Sequence, residues 1–224
     1  MSNASSPRKT RSGPETRRIV IGWGRDRPGR ARPTTLVRVS AYTFCPACAG
    51  LLTPTTGGTR AVARCAACGF RQYDNPVPVV SAIVEHDGKV VLARNKAWPP
   101  TWYALVAGFL ERGESPEEGV RREVKEELGL DALETRLVGV YPFERMNQVI
   151  IAYHVTATGP ITLNDELVDY RLVEPAECTA WRAGTGFALR DWLRSRGFEP
   201  RMTDRPGDGD IETPLPTPPR SGGN

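Results

Sequence analysis

Glu126 and Glu127 follow Glu123 at spacings of three and four residues, so a helix would bring the three carboxylates onto one patch of its surface. Like charges at these spacings cost roughly a few tenths of a kcal/mol per pair in a bare helix. A divalent cation would neutralise the patch, and hard oxygen ligands with room for water and phosphate groups favour Mg²⁺ or Mn²⁺. A solvated acidic helix face is the alternative interpretation of these three residues alone.

The residues around the glutamates predict a helix over 116–128. Ser115 can cap its start together with Glu118, and Pro116 suits the first helical position. Gly129 can end the helix. Three apolar residues that repeat every four positions predict its buried stripe: Val120, Val124 and Leu128.

Four of the five cysteines form two pairs, Cys45 with Cys48 and Cys65 with Cys68, each with two residues between its members. Two tight turns of this kind can aim four sulfurs at one cation in a tetrahedral cage, which is typical of Zn²⁺. Because four thiolates leave no open coordination position, the zinc would be structural. Four buried free thiols are the alternative interpretation. Cys178 is unpaired in sequence, and we expect it in the core.

The chain of 224 residues has a net charge of +4 that is unevenly distributed. Residues 1–40 contain ten lysines and arginines against two acidic residues, a net +8, so the remainder carries −4. A basic leader of this kind predicts a solvated, disordered arm, with weak nucleic-acid contact as the alternative. No apolar run approaches the roughly 18 residues of a membrane span, and no secretory signal is recognisable. We therefore expect a cytoplasmic protein, in which paired cysteines are metal ligands.

Composition divides the chain into four segments: a disordered basic leader (1–40), a zinc ribbon (41–75), a mixed α/β domain (76–199) and a disordered proline-rich tail (200–224). Alternating strand and helix signals fill the third segment. The predicted strands cover 77–85, 90–94 and 102–105, and then lie near 137–141, 149–156 and 167–173. A hairpin turn is predicted at Asp87-Gly88 and a last helix from Thr185. A mixed sheet flanked by helices suits this order.

The segment from Gly108 to Leu130 matches the Nudix signature G-x5-E-x7-R-E-U-x-E-E-x-G-U at every specified position, where U is a bulky aliphatic residue. With the four cysteines and the approach to this segment (98–108), the chain resembles the zinc-ribbon Nudix hydrolases over roughly 43–175. That family includes NADH pyrophosphatases and plant FAD pyrophosphatases. The resemblance implies an α/β/α sandwich with a mixed sheet, preceded by a zinc ribbon. It also implies hydrolysis of a nucleoside diphosphate linked to another moiety, of the NADH, FAD or ADP-ribose type.

Position by position, the resemblance implies that Glu126 and Glu127 are ligands of the catalytic Mg²⁺ or Mn²⁺. Glu123 would be a further ligand or the general base. Arg122 would pair with Glu114 or Glu123 and fix the directions of the carboxylates.

The resemblance also implies roles in the metal site for two residues outside this group. The carbonyl of Gly108 would complete the metal shell. Glu166 occupies the position of an additional metal-binding or base carboxylate.

The sequence also departs from the family pattern. Gly119 lies inside the helix where relatives usually carry alanine, at a cost of up to about 1 kcal/mol. The Ser-Gln-Pro-Trp-Pro-Phe-Pro signature of NADH pyrophosphatases is matched only in part, by residues 140–145. In that segment Tyr141 and Phe143 could bind substrate by stacking on an adenine or nicotinamide ring, or could pack in the core.

A second hypothesis is a nucleotide-sensing or nucleic-acid-binding regulatory module with a Nudix fold. The intact carboxylates Glu123, Glu126 and Glu127 favour the enzyme. A third, removal of a dinucleotide cap from RNA, would use both the enzyme and the basic leader. The expected partner is a nucleotide-derived small molecule. A homodimer is compatible with the sequence, which leaves the oligomeric state open.

Overall fold

The computed structural model describes residues 42–55 and 62–206. The predicted basic leader (1–40) and the part of the predicted tail after residue 206 lie outside the described residues. Within the described ranges, no helix is long and apolar enough to cross a membrane.

A small antiparallel sheet carries the paired cysteines. Its three strands, in spatial order, are β1 (Leu52–Pro54), β2 (Ala63–Cys65) and β3 (Arg71–Gln72). One cysteine pair lies in the turn before β1. In the other pair, Cys65 ends β2 and Cys68 lies in the turn that leads to β3. Gly69, which follows the second pair, has a φ of 78° and reverses the chain.

A mixed six-stranded sheet forms the body of the chain. Its strands are β4 (Val77–His86), β5 (Lys89–Asn95), β6 (Val106–Phe109), β7 (Asp131–Phe143), β8 (Gln148–Thr158) and β9 (Leu167–Val173). The spatial order is β7-β8-β4-β5-β9, and β6 also pairs with β4. Strands β4 and β8 run parallel, and the other neighbours are antiparallel.

Two helices cover the opposite faces of this sheet. Helix α1 (Pro116–Leu128) packs on one face and α2 (Gly186–Ser195) on the other. Strand β4 is buried on both sides: Val80 and Val84 face α1, whereas Val79 and Ile83 face α2. Burial on both faces explains why β4 is a continuous apolar run rather than an alternating one. The α/β/α sandwich with a mixed sheet is confirmed.

The predicted strands around β4, β5 and β9 are confirmed, but β7 and β8 are longer than the sequence suggests. Strand β7 lies at the edge of the sheet and leaves Leu133, Leu137 and Val140 exposed. Its register with β8 shifts twice, between Ala132 and Glu134 and between Leu137 and Gly139. Bulges and an exposed edge break the apolar alternation by which a strand is recognised.

The strand predicted over 102–105 is wrong. Tyr103, Ala104 and Leu105 are all buried, and only Ala104 forms an isolated bridge, with Ala93. The strand begins at Val106, where β4 offers a ladder partner. All three side chains pack in the core on the α2 side, and the segment makes only this single bridge instead of a ladder with a neighbouring strand.

Ordered structure also continues past the predicted tail boundary at residue 200. Strand β11 (Met202–Thr203) pairs in parallel with β10 (Ala180–Trp181). The N–H of Ala180 donates to the carbonyl of Arg201, and that of Arg182 donates to the carbonyl of Thr203. Backbone bonds to β10 hold this segment together with the single apolar side chain of Met202, which packs against the core, so its composition gives only a weak signal.

Candidate active site and cysteine metal site

Helix α1 begins and ends as the sequence predicts. The N–H of Ser115 donates to Oε2 of Glu118 at 2.7 Å, and the N–H of Glu118 donates to Oγ of Ser115 at 3.3 Å. Gly129 ends the helix with a left-handed φ of 71°. The predicted stripe is fully buried under the sheet: Val120, Val124 and Leu128. The buried stripe fixes the rotation of the helix about its axis, and with it the direction of its glutamates.

The guanidinium of Arg122 organises the acidic cluster. Its Nε and Nη2 donate to the two oxygens of Glu114 at 3.1 and 2.7 Å, and its Nη1 donates to Oε1 of Glu123 at 2.7 Å. Nη2 also donates to the carbonyl of Phe109 at 3.1 Å, and Nη1 reaches Oε2 of Glu126 at 3.4 Å. These hydrogen bonds lower the pKa of Glu114 and raise that of Arg122. One charged group therefore ties β6, the loop before α1 and two carboxylates of α1 together.

The carboxylate of Glu123 is buried against β6. A Cβ atom at Gly108 would lie 2.0 Å from Oε1 of Glu123, so no residue with a side chain fits at position 108 without displacing the carboxylate. Burial raises the pKa of Glu123, and the hydrogen bond from Arg122 opposes that rise. The glycine is needed here for space, not for its conformational freedom.

The loop that carries Glu166 packs against the end of α1. The N–H groups of Thr162 and Asn164 donate to the carbonyls of Leu128 and Glu127 at 2.8 and 3.3 Å. Oδ1 of Asn164 in turn accepts the N–H of Glu166 at 3.0 Å. The loop that carries Glu166 is thus bonded to the backbone of the helix end that carries the predicted ligand Glu127, a contact that the sequence does not identify.

The acidic side chains do not close into a compact ligand set. Among the residues that the structure describes, the only group of three or more acidic, histidine or cysteine ligand atoms that meet is the cysteine cage. Arg122 binds Glu123 and Glu126 instead. Glu126 is exposed and Glu127 half-buried, so solvent reaches both side chains. Hard carboxylate oxygens concentrated at one helix face fit a divalent cation such as Mg²⁺ or Mn²⁺.

The four paired cysteines meet at one point. The sulfurs of Cys45, Cys48, Cys65 and Cys68 all lie within 4.8 Å of one another. The separation is 3.6 Å between Cys45 and Cys68 and 3.5 Å between Cys48 and Cys65. A tetrahedron with Zn–S distances of about 2.3 Å has edges of roughly 3.8 Å, so the donor set fits a zinc ion. Cys178 lies apart, in the core beneath α2, as expected.

A charged cluster that the sequence does not predict lies on the α2 face. The guanidinium of Arg171 stacks over the ring of Tyr103 at 3.9 Å, and the hydroxyl of Tyr103 donates to Asp169 at 2.5 Å. Nε of Arg94 is buried beside them without a hydrogen-bond partner among the described residues. The alternation of Asp169 and Arg171 along β9 is the one signal that could have placed the two on a common face.

Comparison with known proteins decides the family. The family model for the NUDIX domain matches residues 75–194, more than half of the chain. The chain belongs to the Nudix family. It is 34% identical over 126 residues to the NAD-capped RNA hydrolase NudC of Mycobacterium bovis, and 33% over 116 residues to that of Vibrio atlanticus. These matches cover 55% and 52% of this chain but 39% and 42% of the relatives, so it spans about two fifths of their length.

The Nudix fold is also supported by a solved structure. The crystal structure of a NUDIX hydrolase from Nitrosomonas europaea superposes with a TM-score of 0.59 at 26% sequence identity. The superposition covers 72% of this chain and 99% of that one.

The structure accounts for the glycine inside the Nudix helix. A Cβ atom at Gly119 would lie 3.0 Å from Oε1 of Glu114 and 3.0 Å from Cδ1 of Leu110. An alanine would be accommodated if the Glu114 carboxylate and the Leu110 methyl group each moved by a few tenths of an ångström. The glycine avoids this small shift beside the Glu114–Arg122 pair.

The two aromatic residues proposed to bind substrate connect β7 with the core on the α2 side of the Nudix sheet. The hydroxyl of Tyr141 donates to Oδ2 of Asp191 on α2 at 3.1 Å, and burial raises the pKa of Tyr141 to about 12. The ring of Phe143 packs against Gly184. Both rings are half-buried against the α2-side core. Their contacts are those of core residues, and a stacking role stays a prediction.

Proposed function

We propose that the chain is a divalent-cation-dependent Nudix pyrophosphohydrolase that cleaves the diphosphate bond of a nucleoside diphosphate linked to another moiety. The observation that carries the proposal is the position of Glu123 between Gly108 and Arg122, with Glu126 one turn further along the helix. Every carboxylate of the signature is present. A sensing module without catalysis would have no need for this arrangement.

The proposed roles follow the geometry of α1. Glu126 and Glu127 are the cation ligands, and the Gly108 carbonyl completes the shell. Bound Mg²⁺ or Mn²⁺ would offset the charge that builds on the two phosphates and acidify the attacking water. Glu123 or Glu166 accepts the proton from that water. Arg122 positions Glu123 and touches no substrate.

We propose substrates of the NAD, FAD or ADP-ribose type. The curated relatives are named NAD-capped RNA hydrolases, which favours an NAD moiety. A nucleoside triphosphate would need extra cations near the carboxylates, but the basic residues of α1 other than Arg122 are engaged elsewhere. Arg121 binds Glu117 and the carbonyl of Ala132, and Lys125 binds Asp131.

Two supporting features belong to the same proposal. Cys45, Cys48, Cys65 and Cys68 hold one structural Zn²⁺. The basic leader adds weak contact with nucleic acid, which would assist the enzyme if its dinucleotide caps an RNA.

The test is hydrolysis of NADH, FAD, ADP-ribose, dGTP and ATP by the purified chain at equal Mg²⁺, with and without a chelator of hard cations. We expect kcat/KM to be highest for one of the first three and activity to vanish with the chelator. No hydrolysis of any compound with Mg²⁺ or Mn²⁺ would refute the enzyme. A triphosphate cleaved about tenfold faster than the others, a barrier difference of about 1.4 kcal/mol, would overturn the substrate class alone.

A further inference from the structure

One face of the three-stranded ribbon sheet is open and carries two arginines side by side. Residues paired across antiparallel strands share a face. Thr53 pairs with Arg64, and Arg64 pairs with Arg71. All three side chains are exposed. Because Cys65 follows Arg64 directly, its side chain points to the other side of the sheet, where the sulfurs meet.

Apolar side chains flank the two arginines. Phe44 and Leu51 form a bridge pair, and Leu51 precedes Thr53 by two residues, so alternation puts both on the arginine side. Tyr73 lies two residues after Arg71, immediately beyond the end of β3. Phe44, Leu51 and Tyr73 are 60%, 62% and 44% exposed. Three large apolar side chains this exposed on a small sheet need an explanation beyond packing.

We propose that this face binds single-stranded nucleic acid, with bases stacked on Phe44 and Tyr73 and phosphates bound by Arg64 and Arg71. Aromatic faces combined with cations along one surface are what a single strand requires. The two paired arginines repel each other, and neither has an acidic partner among the described residues. Asp74 is the only acidic residue in the described part of the ribbon. A phosphate between the guanidinium groups removes that repulsion.

This site is separate from the basic leader. Leader arginines bind phosphate only, so their contribution disappears as salt is raised. Stacking on Phe44 and Tyr73 carries no charge and persists at higher salt. The aromatic residues therefore distinguish the ribbon face from the leader.

The test uses the full zinc-loaded chain without Mg²⁺ and a fluorescent RNA of about 12 nucleotides, a length within the range that single-strand sites span. Anisotropy gives Kd between about 50 and 200 mM salt. We expect the double variant Phe44→Ser/Tyr73→Ser to weaken binding about fivefold or more for each stacked base lost. We expect Arg64→Gln/Arg71→Gln to reduce the slope of log K against log salt by about 1.4, which corresponds to two phosphate contacts.

Matched variants on the main sheet and its flank control for charge and apolar area. Arg136→Gln/Arg182→Gln removes two exposed arginines, and Leu133→Ser/Tyr170→Ser removes two exposed apolar side chains. Both should leave Kd and its salt slope unchanged. DNA of the same sequence separates RNA from DNA as the preferred strand. Binding by the ribbon double variants within twofold of wild type, or equal losses in the controls, would overturn the proposal.

A second measurement needs no variant. Photo-crosslinking of wild-type protein to an oligonucleotide carrying 4-thiouridine should label peptides between Phe44 and Tyr73. Labels confined to residues 1–41 or to the α/β domain would reject the ribbon face. Because neither measurement depends on hydrolysis, failure here leaves the proposed enzyme unaffected, and the reverse also holds.

Discussion

The carboxylate of Glu123 occupies the space in which any residue other than glycine at position 108 would carry its Cβ atom. Gly108→Ala therefore pushes the carboxylate away from Arg122. We expect kcat/KM to fall by about 10²-fold, roughly 3 kcal/mol, if Glu123 is a ligand or base.

Gly119→Ala is the matched control, because its Cβ makes a tight contact of 3.0 Å with Glu114 and not a collision. Gly119→Ala should keep activity within about threefold of wild type. The higher helix propensity of alanine should offset the cost of the tight contact. Equal losses in the two variants would show that the Glu123 contact does not matter.

The two outer carboxylates give a separate test of cation binding. Glu126→Gln and Glu127→Gln keep the side-chain shape and remove the charge that a hard cation prefers. Each should lower kcat by about 10²-fold or more at saturating Mg²⁺. Glu117→Gln is the control on the same helix, because Glu117 binds Arg121 and Thr135. Near-wild-type turnover of both variants would contradict the ligand assignment.

Arg122 acts through geometry as well as charge. Arg122→Lys keeps the charge but cannot make the fork to Glu114 while also binding Glu123 and the Phe109 carbonyl. We expect kcat to fall at least about tenfold and the free energy of unfolding to fall by about 1–3 kcal/mol, from lost bonds to a charged group. Arg121→Lys changes a neighbouring arginine that does not bind Glu123. Urea denaturation and steady-state kinetics on both variants measure the difference. A kcat for Arg122→Lys that equals that of Arg121→Lys would rule out the positioning role.

Local rules predict α1 and its neighbours well and predict long-range contacts poorly. The helix follows from signals within a few residues, Ser115 with Glu118 at one end and Gly129 at the other. Its partners do not, because the loop that carries Glu166 and donates to the backbone carbonyl of Glu127 is far away in sequence. Strand β11 likewise depends on backbone pairing with β10, which no side-chain pattern announces.

In the candidate active site, too, local features are predictable from the sequence and long-range contacts are not. Sequence spacing places Glu123, Glu126 and Glu127 on one helix face, and the family pattern suggests that Arg122 pairs with Glu114 or Glu123. The structure shows that it binds both and also reaches Glu126. How many carboxylates share one guanidinium depends on the packing of β6 against α1, which the order of residues does not encode.

The cysteine cage should bind one zinc per chain. Cys45→Ser and Cys68→Ser should lose the metal and destabilise the ribbon, because a structural site contributes its binding free energy to folding. Cys178→Ala is the control, since Cys178 lies in the core beneath α2 and should leave the zinc content at one. Elemental analysis after purification without chelator measures this directly. Protein of the serine variants that remains folded should keep its hydrolytic activity, because a closed sulfur cage offers no position for substrate.

A half-buried cluster of Glu85, His154 and Arg196 predicts acid sensitivity of the fold. Oε2 of Glu85 accepts hydrogen bonds from Nε2 of His154 at 2.8 Å and from Arg196 at 2.9 Å. Burial lowers the pKa of His154 below its ordinary value of 6.5. The hydrogen bond to the Glu85 carboxylate and its negative charge oppose this shift. Burial alone would raise the pKa of Glu85, but the bonds from Arg196 and His154 lower it.

Both pKa shifts make the folded state less stable as pH falls. As pH falls through about 6.5, the unfolded chain gains a proton at His154 that the folded chain does not, so the free energy of unfolding falls. The contribution of Glu85 is present above its unfolded pKa and is lost as pH falls further, through its lower folded pKa. His154→Gln removes the first step only. Urea denaturation between about pH 7.5 and 5 should therefore show a smaller loss of stability in the variant than in wild type. The variant retains Glu85 and Arg196 and differs only in the titrating imidazole. An identical loss of stability in the two proteins would therefore show that another group causes the acid sensitivity.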